Sequence, residues 1–551
     1  MELISQHAKE IMEECKLRAL DQGLRFDNET LEYIVTNKDM IELSPKIMIP
    51  TLYDYWVHDV QTISGKGVYE LYPSNPYETV INTRPAISYY NDNNPDWLNV
   101  MIFYHVLGHI DFFQNNLFFQ NTWDFDLTGK ALSDKRIIAR YRSEKGRWVD
   151  YIIEFTRSID NLVNYHQEVN EALKPKGNRK LSKINCYFDI FLQKEKMITI
   201  NNYLKEIERY NICKKENKLA CEAIFFEDVL SKYPEFTEFY KVQKKKKKSD
   251  NLDLIQYIIK NSPFLKEDEN KWMKSVMEIV RQTSNYFQPQ IRTKIMNEGW
   301  ASFWHAKLFM QDERIKGHEV DFAKVNAAVT SMPKLGLNPY ALGLRLFSHI
   351  IDMEDRGCFD IEYFMLHDEH KREKFNKLKN TGMDYIFTVR ENLCDFTFVN
   401  KFIDQEFVNK HKLFVSGQRI NKTNMTREYY VKSRNAAAYK QMVVDTLYHP
   451  PIIYVDKEKS KQGVLYIVHK FEGKPLKTDF IENTMIGIEY LWGGPVNLET
   501  HEVSKKATSD KNYINFWAAN YQAPEPLKKE KFEWKKILYV LENRRLHKRE
   551  I

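Results

Sequence analysis

The apolar pattern changes once along the chain, near residue 380, and that change constrains the fold more than any other feature. Up to about Lys379, apolar residues recur mostly at helical spacing; Ile4, Ala8, Ile11 and Cys15 form the first such stripe. From residue 384 onward, short β-branched and aromatic runs follow at Tyr385–Val389, Leu413–Ser416, Tyr429–Lys432, Ile452–Val455 and Val464–Phe471. One helix is expected among them, Asn435–Tyr448, ended by Pro450 and Pro451. Glycine agrees with a helix-rich chain: 19 in 551 residues is about half the usual ~7%. The expected fold class is α+β. A large, mainly α-helical domain would span residues 1–380, and a smaller α+β domain residues 381–551.

Several classes are excluded. Hydrophobic residues at 43% and aromatics at 14% supply a packed core, so the chain is neither disordered nor fibrous. A net charge of +6 on 82 Lys+Arg and 76 Asp+Glu is too mild to require a nucleic-acid partner. The five consecutive lysines Lys244–Lys248 repel one another and read as a solvated loop, as does the basic stretch Lys174–Lys183. No apolar run is long enough to span a membrane, and charges interrupt the start throughout. The expected location is the cytoplasm. The six cysteines form no CxxC and read as free thiols of a reducing compartment. Gly65-Lys66-Gly67-Val68-Tyr69-Glu70 lacks the third glycine of a dinucleotide fingerprint, and no Walker A or GxSxG motif occurs.

Metal chemistry has better candidates. Asn94 is a good N-cap and Pro95 suits a first helical position, with Leu98, Met101, Ile102 and Val106 following at helical spacing. His105 and His109 then stand at i and i+4 on one face, where two imidazoles can chelate one divalent ion. With 15 histidines in 551 residues, roughly 0.4 such pairs arise by chance, and two buried, hydrogen-bonded histidines fit the spacing too. A second helical segment, residues 295–305, carries Glu298 and His305 two turns apart on an aromatic helix. Buried charge there needs a partner or a metal. Glycines 108 and 299 beside these residues fit close approach of a neighbouring helix or a substrate.

His105, His109 and Glu298 would give a two-His, one-carboxylate site for a divalent metal, zinc foremost, with His305 as fourth ligand or support. Position 106 is Val, so the general base of a zinc-peptidase HExxH helix is absent. Catalytic candidates are Glu298 itself, Asp111, and Glu144 with Asp150 and Glu154 on the next helical stretch. His349 is read as core or remote support, His367 and His370 as an exposed face, and Tyr448-His449-Pro450-Pro451 as a turn.

The sequence resembles the stage V sporulation protein R (SpoVR) family over nearly its whole length. The stretches that carry the resemblance are HVLGHIDFFQNN (105–116), YFQPQIRTKIMNEGWASFWH (286–305), GLNPYALGL (336–344), LYHPPII (447–453), HKFEGKPL (469–476) and IGIEYLWGGPVNLET (486–500). His105, Gly108 and His109 match the family's paired-His segment; Asn297, Glu298, Gly299, Trp300 and His305 its NEGWA…WH segment; Asn338, Pro339 and Tyr340 its NPY segment. The chain departs at Tyr55-Trp56, where many members carry His-Trp, and at Ser348-His349, where members tend to carry an acidic pair. The resemblance implies a cytoplasmic bacterial protein linked to spore cortex formation or to stress response. It also implies protein partners: a serine-kinase-like AAA+ protein and a von Willebrand A-type protein. Two functional readings follow. One is a metal-dependent hydrolase of a peptide or amide bond, acting on the cell envelope. The other is a non-enzymatic regulator or scaffold that works with those partners. Redox or di-iron chemistry is a third.

Overall fold

The computed structural model describes residues 2–27, 29–43, 78–122, 127–163, 183–196, 221–246, 252–421, 426–461, 463–503 and 534–551, plus isolated positions at 52, 64, 205, 206, 208–210, 212 and 213. Tyr55-Trp56, the Gly65–Glu70 motif and nearly all of Lys174–Lys183 lie outside the described residues. The chain separates into two compact units, residues 1–165 with 253–551, and residues 166–252.

The first unit opens with a small sheet in a stretch whose sequence reads as mostly helical. Its strands are β1 (Glu2–Leu3), β2 (Thr30–Val35), β3 (Glu78–Ile81) and β4 (Ala86–Asn91), in the order β1-β2-β4-β3. Strands β2 and β4 are parallel; β3 returns antiparallel on β4. Helix α1 (Gln6–Asp21) starts on a Ser5 cap and buries Ala8, Met12, Cys15 and Ala19 at helical spacing. Helix α2 (Asp96–Asn115) carries the paired histidines. Its cap is Pro95 rather than Asn94: the Pro95 carbonyl accepts from Leu98 and Asn99, while the Asn94 N–H is held outside by the Asn91 carbonyl. Between Leu98 and Phe113 every residue except Asn99 is buried, as in a helix enclosed on all sides.

Helix α3 (Trp148–Arg157) and α4 (Lys271–Arg292) lead to α5 (Lys294–Phe309), which carries Glu298, and to α6 (Pro339–Asp355). Helices α2, α5 and α6 cross closely because glycines stand at the crossings. A methyl group on Gly108 would lie 2.8 Å from Ala301 Cα, and one on Gly299 would lie 2.4 Å from the Gly343 backbone. The Tyr385–Val389 run, expected as a strand, lies in helix α7 (Gly382–Asn392). Ile386, Val389 and Arg390 are buried at i, i+3 and i+4; so short an apolar run does not distinguish strand from helix by period. Helix α8 (Asp395–Phe402) follows.

Strands β5 (Val415–Asn421) and β6 (Thr426–Ser433) pair as a separate antiparallel ribbon. Asn435 caps α9 (Ala436–Thr446) by accepting from Ala437 and Ala438. The last sheet has five strands in the order β11-β10-β9-β8-β7: β7 (Ile452–Val455), β8 (Leu465–Lys470), β9 (Val496–Val503), β10 (Trp534–Glu542) and β11 (Arg545–Glu550). Its parallel pair, β8 and β9, is joined by helix α10 (Thr478–Trp492), the crossover that parallel pairing needs.

Two hydrophobic clusters organise this unit. One runs from Ala8 through α2, α5 and α6 to Ile386, Phe398 and Val443. The other joins Val149 and Ile152 of α3 and Val276 of α4 to Ile467, Leu498 and Leu541. Packing therefore continues across residue 380, where the sequence pattern changes. The second unit is built around Tyr187, Phe188, Phe191, Phe225, Phe226 and Phe236. Lys244–Lys246, expected in a loop, continue a helix from Phe236 to Lys246, in keeping with lysine's good helix propensity. All six cysteines are free. Among the described residues no helix is long and apolar enough to cross a membrane.

Candidate metal centre

Three elements bring polar side chains to one place in an apolar core. Helix α2 supplies His105 and His109, whose rings meet edge to face with centroids 4.6 Å apart. Helix α5 supplies Asn297, Glu298 and His305, and the Gly108–Ala301 contact sets how near α5 lies to α2. Strand β3 supplies Glu78, whose Oε1 lies 3.8 Å from His105 Nε2. A further element, α6, adds Tyr340 from its first turn behind the Asn338 cap, and the ring stacks over His105 at 6.1 Å. A cavity of about 510 Å³ opens on His105, Glu78, Glu298, His305 and Tyr340, with Met101, Ile102 and Leu337 as apolar walls and Lys294 also lining it.

The hydrogen-bond network assigns the tautomers. Asn326 Oδ1 accepts from His305 Nε2–H at 3.0 Å, so His305 Nδ1 is the acceptor for His105 Nδ1–H at 2.8 Å. His105 Nε2 keeps its lone pair. On the other histidine, Asn297 Oδ1 accepts from His109 Nδ1–H at 2.9 Å, which leaves Nε2 facing Glu298 Oε2 at 3.6 Å. Burial, reinforced by the neighbouring imidazoles, pushes the His105 pKa well below the usual imidazole range, and burial takes His305 down to about 4. Both are neutral at physiological pH. Burial, then the Glu298 charge, pushes Glu78 up to about 7. The Tyr340 phenol is raised by burial and by the charges of Glu298 and Glu78.

His105, His109 and Glu298 each offer a ligand atom, all within 4.8 Å of one another. Glu298 Oε2 is buried and has no hydrogen-bond partner among the described residues, an arrangement that costs free energy without a cation. Two imidazole nitrogens and a carboxylate oxygen with hydrogen-bonded far nitrogens fit a divalent ion of the zinc type. His305 has both ring nitrogens engaged, so it supports His105 and has no lone pair left to ligate.

The other candidates lie elsewhere. Asp111 faces away from the cavity, accepting from the Arg25 N–H and Trp300 Nε1, both at 2.7 Å, beside Arg390. Glu144 is exposed, 4.0 Å from Arg140. Asp150 pairs with Arg142, and Glu154 is exposed. His349 is buried against Asp404 at 3.2 Å. Asp352 and Glu406 near it already pair with Arg356. His367 and His370 are exposed. Sequence reasoning missed Glu78, and no local signal marks it: the β3–β4 return brings it to α2.

A family model described as "SpoVR like protein" matches residues 2–448. The chain belongs to the SpoVR family. The Escherichia coli (strain K12) protein named "Uncharacterized protein YcgB" is 25% identical over 399 residues, which cover 69% of this chain and 69% of that protein. No solved structure matches. All the residues of the His/Glu centre fall inside the SpoVR match, whereas β7–β11 and α10 lie beyond it.

Proposed function

We propose that this SpoVR-family chain is a metal-dependent hydrolase that cleaves a peptide or amide bond of the cell envelope, as in spore cortex or under stress. The observation that carries the reading is Glu298 Oε2, buried with no hydrogen-bond partner among the described residues and 3.6 Å from His109 Nε2. His105, His109 and Glu298 would hold the ion, zinc by ligand type. A divalent ion at such a site supplies Lewis-acid polarisation and a lowered pKa for water. Asn297 and His305 fix the two imidazoles through their far nitrogens. Glu78 takes the general-base role that Val106 leaves vacant, on the ground that its carboxylate lines the cavity 3.8 Å from His105 Nε2. The Tyr340 hydroxyl lines the same cavity and serves as donor to a developing oxyanion.

Mass spectrometry of peptidoglycan fragments, incubated with zinc-loaded protein, tests the reading. The expected result is new amino and carboxyl termini, formed roughly 100-fold or more slowly by Glu78→Gln with zinc still bound. Absence of cleavage with zinc, manganese and iron alike would overturn it. The β5–β6 ribbon favours a second reading, a regulator acting with a serine-kinase-like AAA+ protein and a von Willebrand A-type protein. Tyr429, Tyr430 and Val431 are exposed together on β6. Pull-downs with these three residues changed to Ser would separate the two.

A further inference from the structure

We infer that the chain carries a saccharide site that takes a neutral glycan chain of pyranose rings. It is formed by α3, α10 and the β10–β11 turn, none of which lines the His/Glu cavity. Its platform is a row of three aromatic rings at the surface. Tyr490 of α10 lies parallel to Trp148 of α3 within 8°, with centroids 6.0 Å apart, and Trp148 meets Tyr151 edge to face at 5.6 Å. Trp148 is 54% and Tyr151 50% exposed. Large aromatic side chains grouped in the open mark a binding site rather than ordinary surface. Among the described residues, neither the Trp148 indole N–H nor the Tyr151 and Tyr490 hydroxyls have a hydrogen-bond partner. The C–H face of a pyranose ring suits the electron-rich face of such rings.

Beside Tyr490 a recess of about 390 Å³ opens, lined by Phe264, Gly493, Glu489, Glu542, Asn543 and Arg544. Its size is that of a small-molecule pocket, and its charges select the ligand. Two carboxylates against one guanidinium leave no excess positive charge for an anion. A cation is opposed at the rings, because the Arg544 charge already acts on Tyr490: burial raises that phenol's pKa and Arg544 lowers it. A neutral ligand rich in hydroxyls remains. The side chains of Glu542, Asn543 and Arg544 have no partners among the described residues, and their planar donors and acceptors match neighbouring hydroxyls. Asn543 and Arg544 make the two-residue turn between β10 and β11, with φ of 51° and 59°. Such a turn favours glycine at its second position. Arginine stands there instead, its backbone N–H donated to Glu489 Oε2 at 3.2 Å. The strained position keeps a guanidinium at the recess.

Isothermal titration calorimetry of the full-length protein with chitohexaose and with cellohexaose tests the site. Saturable binding is expected: to both if ring stacking dominates, to chitohexaose alone if the recess also reads the acetamido group. Trp148→Ala combined with Tyr151→Ala should weaken it roughly tenfold or more. Arg544→Gly should weaken it roughly threefold or more while the melting temperature stays equal or rises, because glycine accepts the positive φ without strain. A purely structural role for Arg544 would move stability and leave affinity unchanged. No saturable binding of either saccharide, unchanged affinity in the Trp148→Ala/Tyr151→Ala protein, or binding of oligothymidylate or a proline-rich decapeptide at this platform in place of the saccharides overturns the proposal.

Discussion

Replacing Gly299 with alanine adds one methyl group where α5 crosses α6. On an unobstructed helix the change is stabilising by about 1 kcal/mol. At this crossing the new Cβ would sit 2.4 Å from the Cα and carbonyl carbon of Gly343, against about 3.5–4.0 Å for a comfortable carbon contact. The obstacle is backbone, so no side-chain rotation relieves it, and the helices must part by roughly 1 Å. Overpacking of this kind costs about 1–3 kcal/mol, occasionally more, and a backbone clash belongs at the upper end. The net expectation for Gly299→Ala is destabilisation by about 1–2 kcal/mol. Urea unfolding followed by tryptophan fluorescence reads it directly, because Trp300 and Trp304 are both fully buried on the same helix. Gly487→Ala in α10 is the control: the three atoms nearest its Cβ all belong to Phe155, the closest a ring carbon at 3.3 Å. That variant should stay within about 1 kcal/mol of wild type. A Gly299→Ala protein as stable as wild type, or more stable, would refute the close crossing that brings Glu298 to its place.

Asp111→Asn leaves the fully buried Arg390 without its charge partner, so it should cost about 3–5 kcal/mol in the same urea assay while metal content is unchanged; a loss below about 1 kcal/mol contradicts the pairing. Asp395→Ala removes two bonds, from the Ile295 and Met296 N–H groups, that hold the first turn of α5. It should cost about 1–2 kcal/mol and weaken metal binding in a competition titration; unchanged affinity would show that the first turn of α5 does not position Glu298. Burial pushes the Glu499 carboxyl up, but hydrogen bonds from Lys536, Tyr466 and Lys459 outweigh it and hold it at about 2, below the ordinary 4.5. Its stabilisation is full above pH 4.5 and is lost as pH falls from 4.5 towards 2. Thermal melts across that window should fall more steeply for wild type than for Glu499→Gln, and parallel curves would be the contrary result.

The paired histidines were legible because helix α2 announces itself locally, through a Pro start and apolar periodicity. The boundary slipped by one residue because the Asn94 N–H bonds back to Asn91. Glu298 and His305 were legible as polar residues on an otherwise apolar helix. Their meeting with α2 was not, although Gly108 and Gly299 signalled a close approach. Glu78 was invisible, since only the antiparallel return of β3 on β4 carries it to His105. Glu144 failed as a candidate for the opposite reason: nearness in sequence placed it on a helix face that points to solvent. The strand expected at Tyr385–Val389 shows the limit of period alone, since tertiary packing of Ile386 and Val389 decides in favour of helix.

Metal content by plasma mass spectrometry, on tag-free protein purified without chelator, tests the central claim most directly. The His105/His109/Glu298 centre predicts about one zinc per chain in the wild type. In His105→Ala it predicts loss of that zinc with the helical circular dichroism largely intact. Full occupancy in the variant, or no metal in the wild type even after reconstitution with zinc, manganese or iron, would contradict it.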